Sequence, residues 1–346
     1  MSNVQRQASN IKLQGSNGVK QPCTRIVTHE DLDGVVSAAI VSLATEIKQF
    51  WFTGPMSIQN GETPTTETDI VCDLPCPIRF GMWFDHHVGN LADVELRGLD
   101  PEKIPGKFSP DPSCSRVVLE YYRGRVDFPP FIEKTVARTD RVDSFDYQTM
   151  EEWREPLPEK LLADSIRAAF RAPRAMHGYL EKVVLLLRQD SMEKALSDPE
   201  VSNLVKTFGD MERRSLELVE QDAFFHPDDA SREVVIVDLT RHNRKPDFIR
   251  NTAFIRYPDA LAVLLVQNRF LRGRKTNDLT FSMSLSFLMN VREHRRDIGE
   301  IMRSLNMGDG HPGAGGGMLS CGSKDEMIKV KAATLNSIIR MWQEMA

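Results

Sequence analysis

The stretch from Val27 to Gly34 constrains the fold more than any other part of the chain. The apolar residues that lead into it predict a β-strand, and the small and apolar residues that follow it predict a helix. In the turn between them, His29, Asp31 and Asp33 stand at alternate positions, so an extended chain would place their side chains on one side. Open α/β sheets bind their ligands at turns of this kind. Taken alone, the stretch is equally compatible with an acidic helix cap, in which Asp33 caps the helix and Asp31 is solvated.

Further strands and helices follow at the spacing of an α/β domain. Apolar segments at 48–52, 69–73 and 82–84 predict three more strands, and helical stretches follow at 113–123 and 131–143. Strands that alternate with helices predict a mostly parallel sheet. The connection between the third and fourth strands has only eight residues, which is short for a helical crossover. Because an extended chain rises roughly 3.3 Å per residue, this connection can still return the chain for a parallel strand.

Ligand-type side chains recur at the ends of these strands. Asp73 ends the third strand, and Asp85, His86 and His87 follow at the end of the fourth. Since the carboxyl ends of parallel strands lie along one edge of a sheet, these residues should lie near the turn after the first strand. Such a cluster of carboxylates cannot be buried in ionised form without compensating charge. Mixed His and Asp ligands suit Mn²⁺, with Mg²⁺ or Co²⁺ as substitutes, and the ligands exceed one coordination sphere, which predicts two metal ions.

The second half of the chain predicts a separate α/β domain after a helical connector. Prolines break the first pattern near residue 156, and apolar residues at helical spacing continue to about residue 225. Strands at 233–238, 261–266 and 279–285 and a C-terminal helix at 324–345 make up the second unit. We therefore expect two α/β domains. The predicted divisions are a disordered tail at 1–22, a metal-binding domain at 23–155, a helical connector at 156–228 and a smaller C-terminal domain at 229–346.

Charge and composition limit the classes of partner. The net charge of −5 predicts no general attraction to nucleic acid or to an anionic membrane, so an anionic substrate must be met by local charge. Between Arg241 and Lys275, nine Lys or Arg residues stand against two Asp residues, and we expect this basic run to border a nucleotide or polyphosphate cleft. Any single member could instead be a solvated loop residue. Five cysteines without a paired spacing, a polar N-terminus and the lack of a long apolar run predict reduced thiols, a cytoplasmic location and no membrane partner.

A glycine-rich stretch, Gly308–Gly317, follows a predicted helix at 296–305. Glycine lets a backbone approach a ligand closely and present amides to an anion, and a histidine can donate to a phosphate oxygen. Alone, such a stretch would be a linker or a turn, but within a second α/β unit it predicts an anion-binding element. The candidate substrate-binding residues are Gly308, Gly310, His311 and Gly313.

Taken together, these motifs resemble those of the DHH phosphoesterase superfamily, in order and over residues 24–345. The matching positions are His29-x-Asp31-x-Asp33-Gly34 for the first motif, Asp73 for the second, Asp85-His86-His87 for the third and Asp140 for the fourth. The glycine-rich stretch resembles the glycine–histidine motif of the C-terminal substrate-binding domain associated with this superfamily. One motif alone would be weak evidence, but all of them in the right order are strong evidence.

The resemblance implies a role for each matched residue. His29 and Asp31 would ligate the first metal, Asp33, His86 and Asp140 the second, and Asp73 both. Asp85 would orient the ring of His86, and His87 would face the scissile phosphate. Alternatives stay open: Asp143 could replace Asp140 as ligand, His87 could only pack or form a hydrogen bond, and Asp85 could be a strand-end cap. The serine-rich strand at 281–287 departs from the pattern, because many nuclease members carry an arginine there and this chain has none.

The resemblance also implies a reaction. Two Mn²⁺ ions would lower the pKa of a bridging water, which would attack phosphorus in line. The leading substrate class is a short oligonucleotide or another small nucleotide phosphodiester. One alternative is an exopolyphosphatase or pyrophosphatase with the same metals, and another is a catalytically silent nucleotide-binding regulator. The oligomeric state stays open, with a homodimer among the alternatives.

Overall fold

The computed structural model describes residues 22–289 and 295–345, which divide into two compact units. Unit 1 comprises the described chain up to Asp146 together with Glu155–Phe208, and unit 2 comprises Tyr147–Arg154 together with the described chain from Gly209 onward. The predicted disordered tail lies outside the described residues except for its last position. The helices of the described residues, in chain order, are α1 (Leu32–Thr45), α2 (Pro55–Gln59), α3 (Val88–Leu96), α4 (Cys114–Tyr122), α5 (Phe131–Asp143), α6 (Met150–Arg154), α7 (Pro158–Ala169), α8 (Pro173–Gln189), α9 (Met192–Ala195), α10 (Pro199–Asp222), α11 (Thr252–Arg256), α12 (Ile298–Ser304) and α13 (Lys324–Glu344).

Unit 1 is built on a five-stranded parallel sheet. Its strands are β1 (Arg25–Thr28), β2 (Phe50–Phe52), β3 (Asp69–Cys72), β4 (Met82–Asp85) and β5 (Gly106–Phe108). They lie in the order β2-β1-β3-β4-β5, and every neighbouring pair is parallel. The predicted parallel sheet is thus confirmed, including the pair β3 and β4, whose connection is too short for a helix.

The connection from β3 to β4 covers one face of this sheet in place of a helix. Leu74 and Cys76 from the connection are buried against Val71 and Trp83 of the two strands. The indole N–H of Trp83 donates to the carbonyl of Leu74 at 2.9 Å, so the connection is also hydrogen-bonded to the strand beneath it. Apolar burial and this bond together stabilise a parallel pair that has no crossover helix.

The opposite face is covered by helices, with α1 at their centre. This helix is buried along nearly its whole length and packs against α4, α5 and α8. Small residues such as Ala38 and Ala39 let the neighbouring helices approach, and full burial of a larger residue such as Ile40 contributes roughly 1.5–3 kcal/mol. A helix that is apolar on all sides belongs in a core. Its first turn, which carries Asp33 of the ligand motif, is therefore fixed against the sheet.

Helices α7, α8 and α9 extend the same core. Leu162, Leu180 and Val183 are buried in it together with the residues of α1. The boundary between unit 1 and unit 2 falls within α10, after Phe208. The predicted connector at 156–228 therefore belongs partly to each unit. The predicted boundaries of the metal-binding domain, the connector and the C-terminal domain stay predictions.

Unit 2 has a six-stranded mixed sheet. Its strands are β6 (Ala223–Phe225), β7 (Val234–Asp238), β8 (Ala262–Leu271), β9 (Arg274–Leu285), β10 (Gly308–His311) and β11 (Ala314–Leu319). In the order β10-β11-β9-β8-β7-β6, only β7 and β8 are parallel within the described chain. One face buries Phe281 and Met283 against Trp342 of α13. On the other face, Phe254 of α11 and Trp153 of α6 cover the valines of β7 and β8, and a second α/β unit is thus confirmed.

Two further features bear on the predicted environment. None of the five cysteines forms a disulfide, and both Cys72 and Cys76 are buried. Across residues 22–289 and 295–345, no helix has the length and apolar character that crossing a bilayer requires. The cytoplasmic location stays a prediction.

Candidate functional site

The neighbouring strands β1, β3 and β4 bring three ligand-bearing turns to one edge of the unit 1 sheet. His29 follows β1, Asp73 follows β3, and Asp85 is the last residue of β4. Asp143, the last residue of α5, reaches the same edge, where its Oδ2 lies 3.3 Å from Nε2 of His86. Residues far apart in sequence are thus gathered because parallel neighbours end on the same side.

The first turn requires a glycine at position 34. A Cβ added to Gly34 would lie 2.2 Å from the carbonyl oxygen of His29, so a larger residue would push either His29 or α1 away. The hydroxyl of Thr28 donates to the carbonyl of Gly34 at 2.8 Å and ties the strand to the helix. The glycine of the motif therefore permits a close backbone approach that fixes the position of His29.

His29 and Asp31 form the outer part of the site. Nδ1 of His29 lies 2.8 Å from Oδ2 of Asp31 and 3.3 Å from Oδ2 of Asp73. Oδ1 of Asp31 accepts the N–H of Gly34 at 2.9 Å, so Asp31 is the N-cap of α1. The alternative in which Asp33 caps this helix is therefore wrong. Burial opposes the charged form of His29, but the hydrogen bond with Asp31 and the acidic neighbours raise its pKa.

Asp33 is buried beneath the site at the start of α4. Its two carboxylate oxygens accept the backbone N–H groups of Cys114 and Ser115, at 2.7 and 2.8 Å. Amides at a helix N-terminus favour a carboxylate. Burial and then the charge of Asp31 nevertheless outweigh them and raise the pKa of Asp33 to about 7. A nearby cation would keep this carboxylate ionised.

Asp73 is the least compensated carboxylate of the site. It is 2% exposed, and neither of its carboxylate oxygens has a hydrogen-bond partner among the described residues. Burial and then the charges of Asp33 and Asp31 raise its pKa well above its usual range. Its backbone also lies in the left-handed region, with φ of +57°. Both the orphaned oxygens and the uncommon backbone are costly unless the site uses them.

Three groups of side chains in the described part of the chain could each hold a metal ion, with ligand atoms within 4.8 Å of one another. They are His29, Asp31 and Asp73; Asp33, His86 and Asp143; and Asp73, His86 and His87. Asp73 and His86 each belong to two of these groups. Nε2 of His86 is also buried without a hydrogen-bond partner among the described residues. Orphaned carboxylate oxygens beside an orphaned imidazole nitrogen are a donor set that fits divalent cations.

The third motif is arranged differently from the prediction in one respect. Asp85 is fully buried, and its Oδ1 lies 2.9 Å from Nδ1 of His87 and accepts the backbone N–H of His86 at 2.9 Å. Its Oδ2 accepts from Asn90 at 2.7 Å. The ring of His86 is instead oriented by the carbonyl of Asp111, 3.0 Å from Nδ1. Asp85 therefore orients the ring of His87, because the turn after β4 points the His86 ring toward α5 rather than back toward Asp85.

The fourth motif offers two aspartates one helical turn apart. Oδ1 of Asp140 accepts from the hydroxyl of Ser113 at 2.6 Å, and its Oδ2 pairs with Arg116 at 2.7 Å. Both oxygens of Asp140 are thus occupied by protein groups, and Asp140 is in none of the three metal-holding groups found among the described residues. Asp143 is in one of them, beside Asp33 and His86. Burial and then the charge of Asp33 raise the pKa of Asp143 to about 9.

The glycine-rich stretch of unit 2 is a β-hairpin, β10–β11. Its predicted residues Gly308 and Gly310 lie in strand β10, where a Cβ would come within 2.0 Å of Gly316 and 2.4 Å of Ala314 in the facing strand. Their lack of a side chain therefore serves strand pairing. Gly313 lies in the turn, where its N–H donates to Nδ1 of the exposed His311 at 3.2 Å. This bond holds the ring of His311 through Nδ1, and Nε2 takes no part in it.

Sequence reasoning did not single out Arg250. Its guanidinium donates to the hydroxyl of Ser282 at 2.5 Å, and its Nε is buried without a partner among the described residues. Burial alone lowers the pKa of Arg250, and no carboxylate pairs with it in the described chain. Ser282 belongs to the serine-rich strand that lacked the expected arginine, so the fold supplies a guanidinium there from a distant segment. The strength of the basic run, in which Arg250 is one of nine cations, was the only signal in the sequence.

No family model matches the sequence, and no curated protein matches it either. Among solved structures, a pGpG-specific phosphodiesterase, PggH from Vibrio cholerae, aligns with a TM-score of 0.73 and 23% identity, over 92% of this chain and 99% of that one. A structure described as the DHH domain of a member of a family of ribosomal proteins aligns with a TM-score of 0.54 and 13% identity, over 92% and 86% of the two chains. The likeness extends over both units, and it confirms the fold that the motifs predicted. The chain therefore shares the two-domain fold of these solved structures, one of which is described as a DHH domain.

Proposed function

We propose that this protein is a metal-dependent phosphoesterase that hydrolyses short nucleotide phosphodiesters. The observation that carries the proposal is Asp73, a buried carboxylate with two orphaned oxygens and a left-handed backbone, shared by two potential metal groups. A chain gains no stability from such a residue, so its cost is best explained by a function that uses it.

The residues that would hold the cations follow from the groups described above. His29, Asp31 and Asp73 would hold one ion, and Asp33, His86 and Asp143 the other. Oδ1 of Asp73 lies 3.7 Å from Nε2 of His86, so Asp73 would also reach the second ion. The choice of Asp143 over Asp140 rests on the ion pair that occupies Asp140. The oxygen and nitrogen donors suit Mn²⁺, with Mg²⁺ or Co²⁺ as substitutes. When bound, such ions lower the pKa of water and neutralise charge that develops on a phosphoryl group.

His87 would supply the proton that the leaving oxygen needs. The hydrogen bond with Asp85 and the acidic neighbours raise the pKa of His87, although burial opposes its charged form. Because Nδ1 is held by Asp85, the proton on Nε2 is the one available to a substrate. A charged imidazole of this kind can bind a phosphate oxygen and then donate its proton as the ester bond breaks. Asp85 would keep the ring in place during both steps.

Unit 2 would bind an anionic part of the substrate. Ser282 and Gly316 are paired across β9 and β11, and His311 is paired with Ala314 two rows further along. In these rows, side chains point to the face opposite the buried Phe281 and Met283, so His311 and the guanidinium of Arg250 are on one face. A half-buried guanidinium that has no carboxylate partner in the described chain is stabilised when it binds an anion. We infer that Arg250 and His311 hold phosphate oxygens.

The substrate we propose is a linear dinucleotide with a 5′-phosphate. The Vibrio cholerae protein that aligns over almost its entire length is described as specific for pGpG, which makes pGpG the first substrate to test. The test is an assay of the purified full chain with Mn²⁺ and pGpG, a cyclic dinucleotide or polyphosphate, with a chelator control. We expect hydrolysis of pGpG to mononucleotides that stops when the metal is removed.

The control variant for this assay is Asp73→Asn, which keeps the size of the side chain and removes its charge. Faster release of phosphate from polyphosphate than cleavage of pGpG would favour the phosphoanhydride alternative. Metal binding and nucleotide binding without turnover of any of these compounds would indicate a silent regulator and overturn the proposal.

A further inference from the structure

A cavity of about 200 Å³ opens beside the candidate metal ligands, entirely within unit 1. Asp31, Asp33 and Asp143 line it together with further residues of α5 and with residues of α7. We infer that this cavity binds a nucleobase of the substrate and that it selects guanine; the inference rests on the proposed function for the identity of the substrate. A base held here would be adjacent to the residues that surround the reacting phosphate.

Apolar residues, two of them aromatic, form much of the rest of the lining. Phe145 and Phe170 line the cavity and are 37% and 42% exposed, whereas Ile166, which also lines it, is buried. Large apolar side chains left open to water beside a concave site indicate a surface that a ligand covers. Nucleobases stack on aromatic rings, and every base offers a flat face for such stacking. Two phenylalanines at the rim therefore suit a base better than they suit inorganic phosphate.

The backbone holds these rings at the rim. Phe170 directly follows the last residue of α7, so the helix end fixes its position. Phe145 lies two residues after the end of α5 and has φ of +52°, a left-handed conformation that is uncommon for a bulky residue. Such strain persists where the surrounding structure enforces it and often accompanies ligand contacts. The turn after α5 thus directs an aromatic side chain to the cavity next to Asp143.

Arg167 supplies the polar recognition group. It lines the same cavity, is exposed, and has neither an ion pair nor a hydrogen bond within the described residues. A guanidinium presents parallel N–H donors that match the two acceptors of guanine, O6 and N7. Adenine presents one acceptor and one donor on that edge and fits the same group less well. An unpaired arginine in the same cavity as two aromatic rings therefore predicts a preference for guanine over adenine.

The experiment compares Phe170→Ala, Arg167→Lys and a control variant in the full chain with Mn²⁺. The control is Phe224→Ala, which removes an equally exposed phenylalanine, 38% exposed, from strand β6 of unit 2. Substrates are pGpG, pApA and an abasic dinucleotide that keeps the phosphodiester and lacks the bases. A second measurement is the affinity of the parent and each variant for GMP by titration calorimetry.

For Phe170→Ala we expect kcat/KM for pGpG to fall between about five-fold and about a hundred-fold, with little change for the abasic compound. For Arg167→Lys we expect the ratio of kcat/KM for pGpG over pApA to fall about ten-fold, because lysine keeps the charge and loses the paired donors. Phe224→Ala should match the parent in every assay. Metal content should be unchanged in all three variants. A lower rate can then be assigned to a lost contact with the base and not to a lost metal.

Two results would overturn the inference. One is equal kcat/KM of Phe170→Ala and the parent on pGpG, and the other is parent activity that is the same with and without bases on the substrate. If the parent hydrolyses no phosphodiester, the proposed function fails. The GMP titration alone then tests whether the cavity binds a base. Weaker GMP binding by both variants would support the base site, whereas GMP affinity equal to that of the parent would refute it.

Discussion

The two aspartates of the fourth motif give the sharpest test of the metal site, because their replacement should have opposite effects. Asp143→Asn removes a carboxylate whose Oδ2 lies 3.3 Å from the buried Nε2 of His86. Asp140→Asn removes one that is paired with Arg116 at 2.7 Å. If Asp143 is the ligand, its asparagine variant should lose one metal, whereas Asp140→Asn should keep both.

The stability of the metal-free protein should rise in Asp143→Asn. Burial and then Asp33 raise the pKa of Asp143 to about 9, so the unfolded chain loses this proton first as the pH rises. The free energy of unfolding of the parent therefore falls as the pH rises from 3.8, the pKa of this group in the unfolded chain, to about 9, its pKa in the folded protein. At pH 7 this amounts to at most about 4 kcal/mol at 1.36 kcal/mol per pKa unit. Because 22% of this side chain reaches water, we expect about 1–3 kcal/mol. The gain should be small at pH 5 and larger at pH 7.5.

The metal-free stability of Asp140→Asn should fall instead. Asp140 and Arg116 are only 16% and 17% exposed, and the replacement weakens charge-assisted hydrogen bonds between them. A loss of about 1–3 kcal/mol follows, which the remaining contact of Arg116 with Glu133 offsets only in part. At about 2–4 °C per kcal/mol, the two variants should differ in Tm by several degrees in opposite directions.

The assay is thermal unfolding of the parent and both variants, with a chelator and with Mn²⁺, at pH 5 and pH 7.5, followed by elemental analysis after dialysis. Mn²⁺ at a hundred times its Kd should raise the free energy of unfolding of the parent by about 2.7 kcal/mol for each of its two sites. Asp143→Asn should gain this contribution from one site only. If Asp140→Asn lost the metal and Asp143→Asn retained two, the assignment made from the ion pair would be refuted, and the family position would stand.

Three further replacements test the rest of the proposal. Asp73→Ala should lower turnover on the order of 10³-fold, because no other carboxylate of the described chain is shared by two metal groups, and near-normal turnover at saturating Mn²⁺ would count against that position. His311→Ala should keep both metals and lower kcat/KM about ten- to a hundredfold through loss of one hydrogen bond to an anion; a lost metal would contradict this. Arg250→Met should leave the folding stability unchanged or raised, since it removes a half-buried charge that has no carboxylate partner in the described chain, yet it should lower kcat/KM for pGpG; a marked loss of Tm would instead indicate a structural role.

Much of the fold could be predicted from the sequence, because its signals are local. The apolar segments at 69–73 and 82–84 became β3 and β4, and the helix predicted at 131–143 has those limits. Elements with weak local patterns were missed. β5 has only three residues, and α3 begins directly after the third motif, where ligand residues obscure the helical pattern. The short link between β3 and β4 gave no local reason to choose a parallel pair, and burial of Leu74 decided it.

The sequence by itself determined which residue types stand at the strand ends, and therefore that a cluster of His29, Asp33, Asp73 and His86 would form at one sheet edge. That inference needs only the alternation of strands and helices, since parallel strands end together. The partners of each side chain were decided by the tertiary structure. Whether Asp85 holds His86 or His87, and whether Asp140 meets Arg116 or a metal, depends on side-chain directions that sequence spacing does not encode. Arg250 is the extreme case: its partner Ser282 is thirty-two positions away, and only the packing of unit 2 brings a guanidinium to a strand that lacks its own.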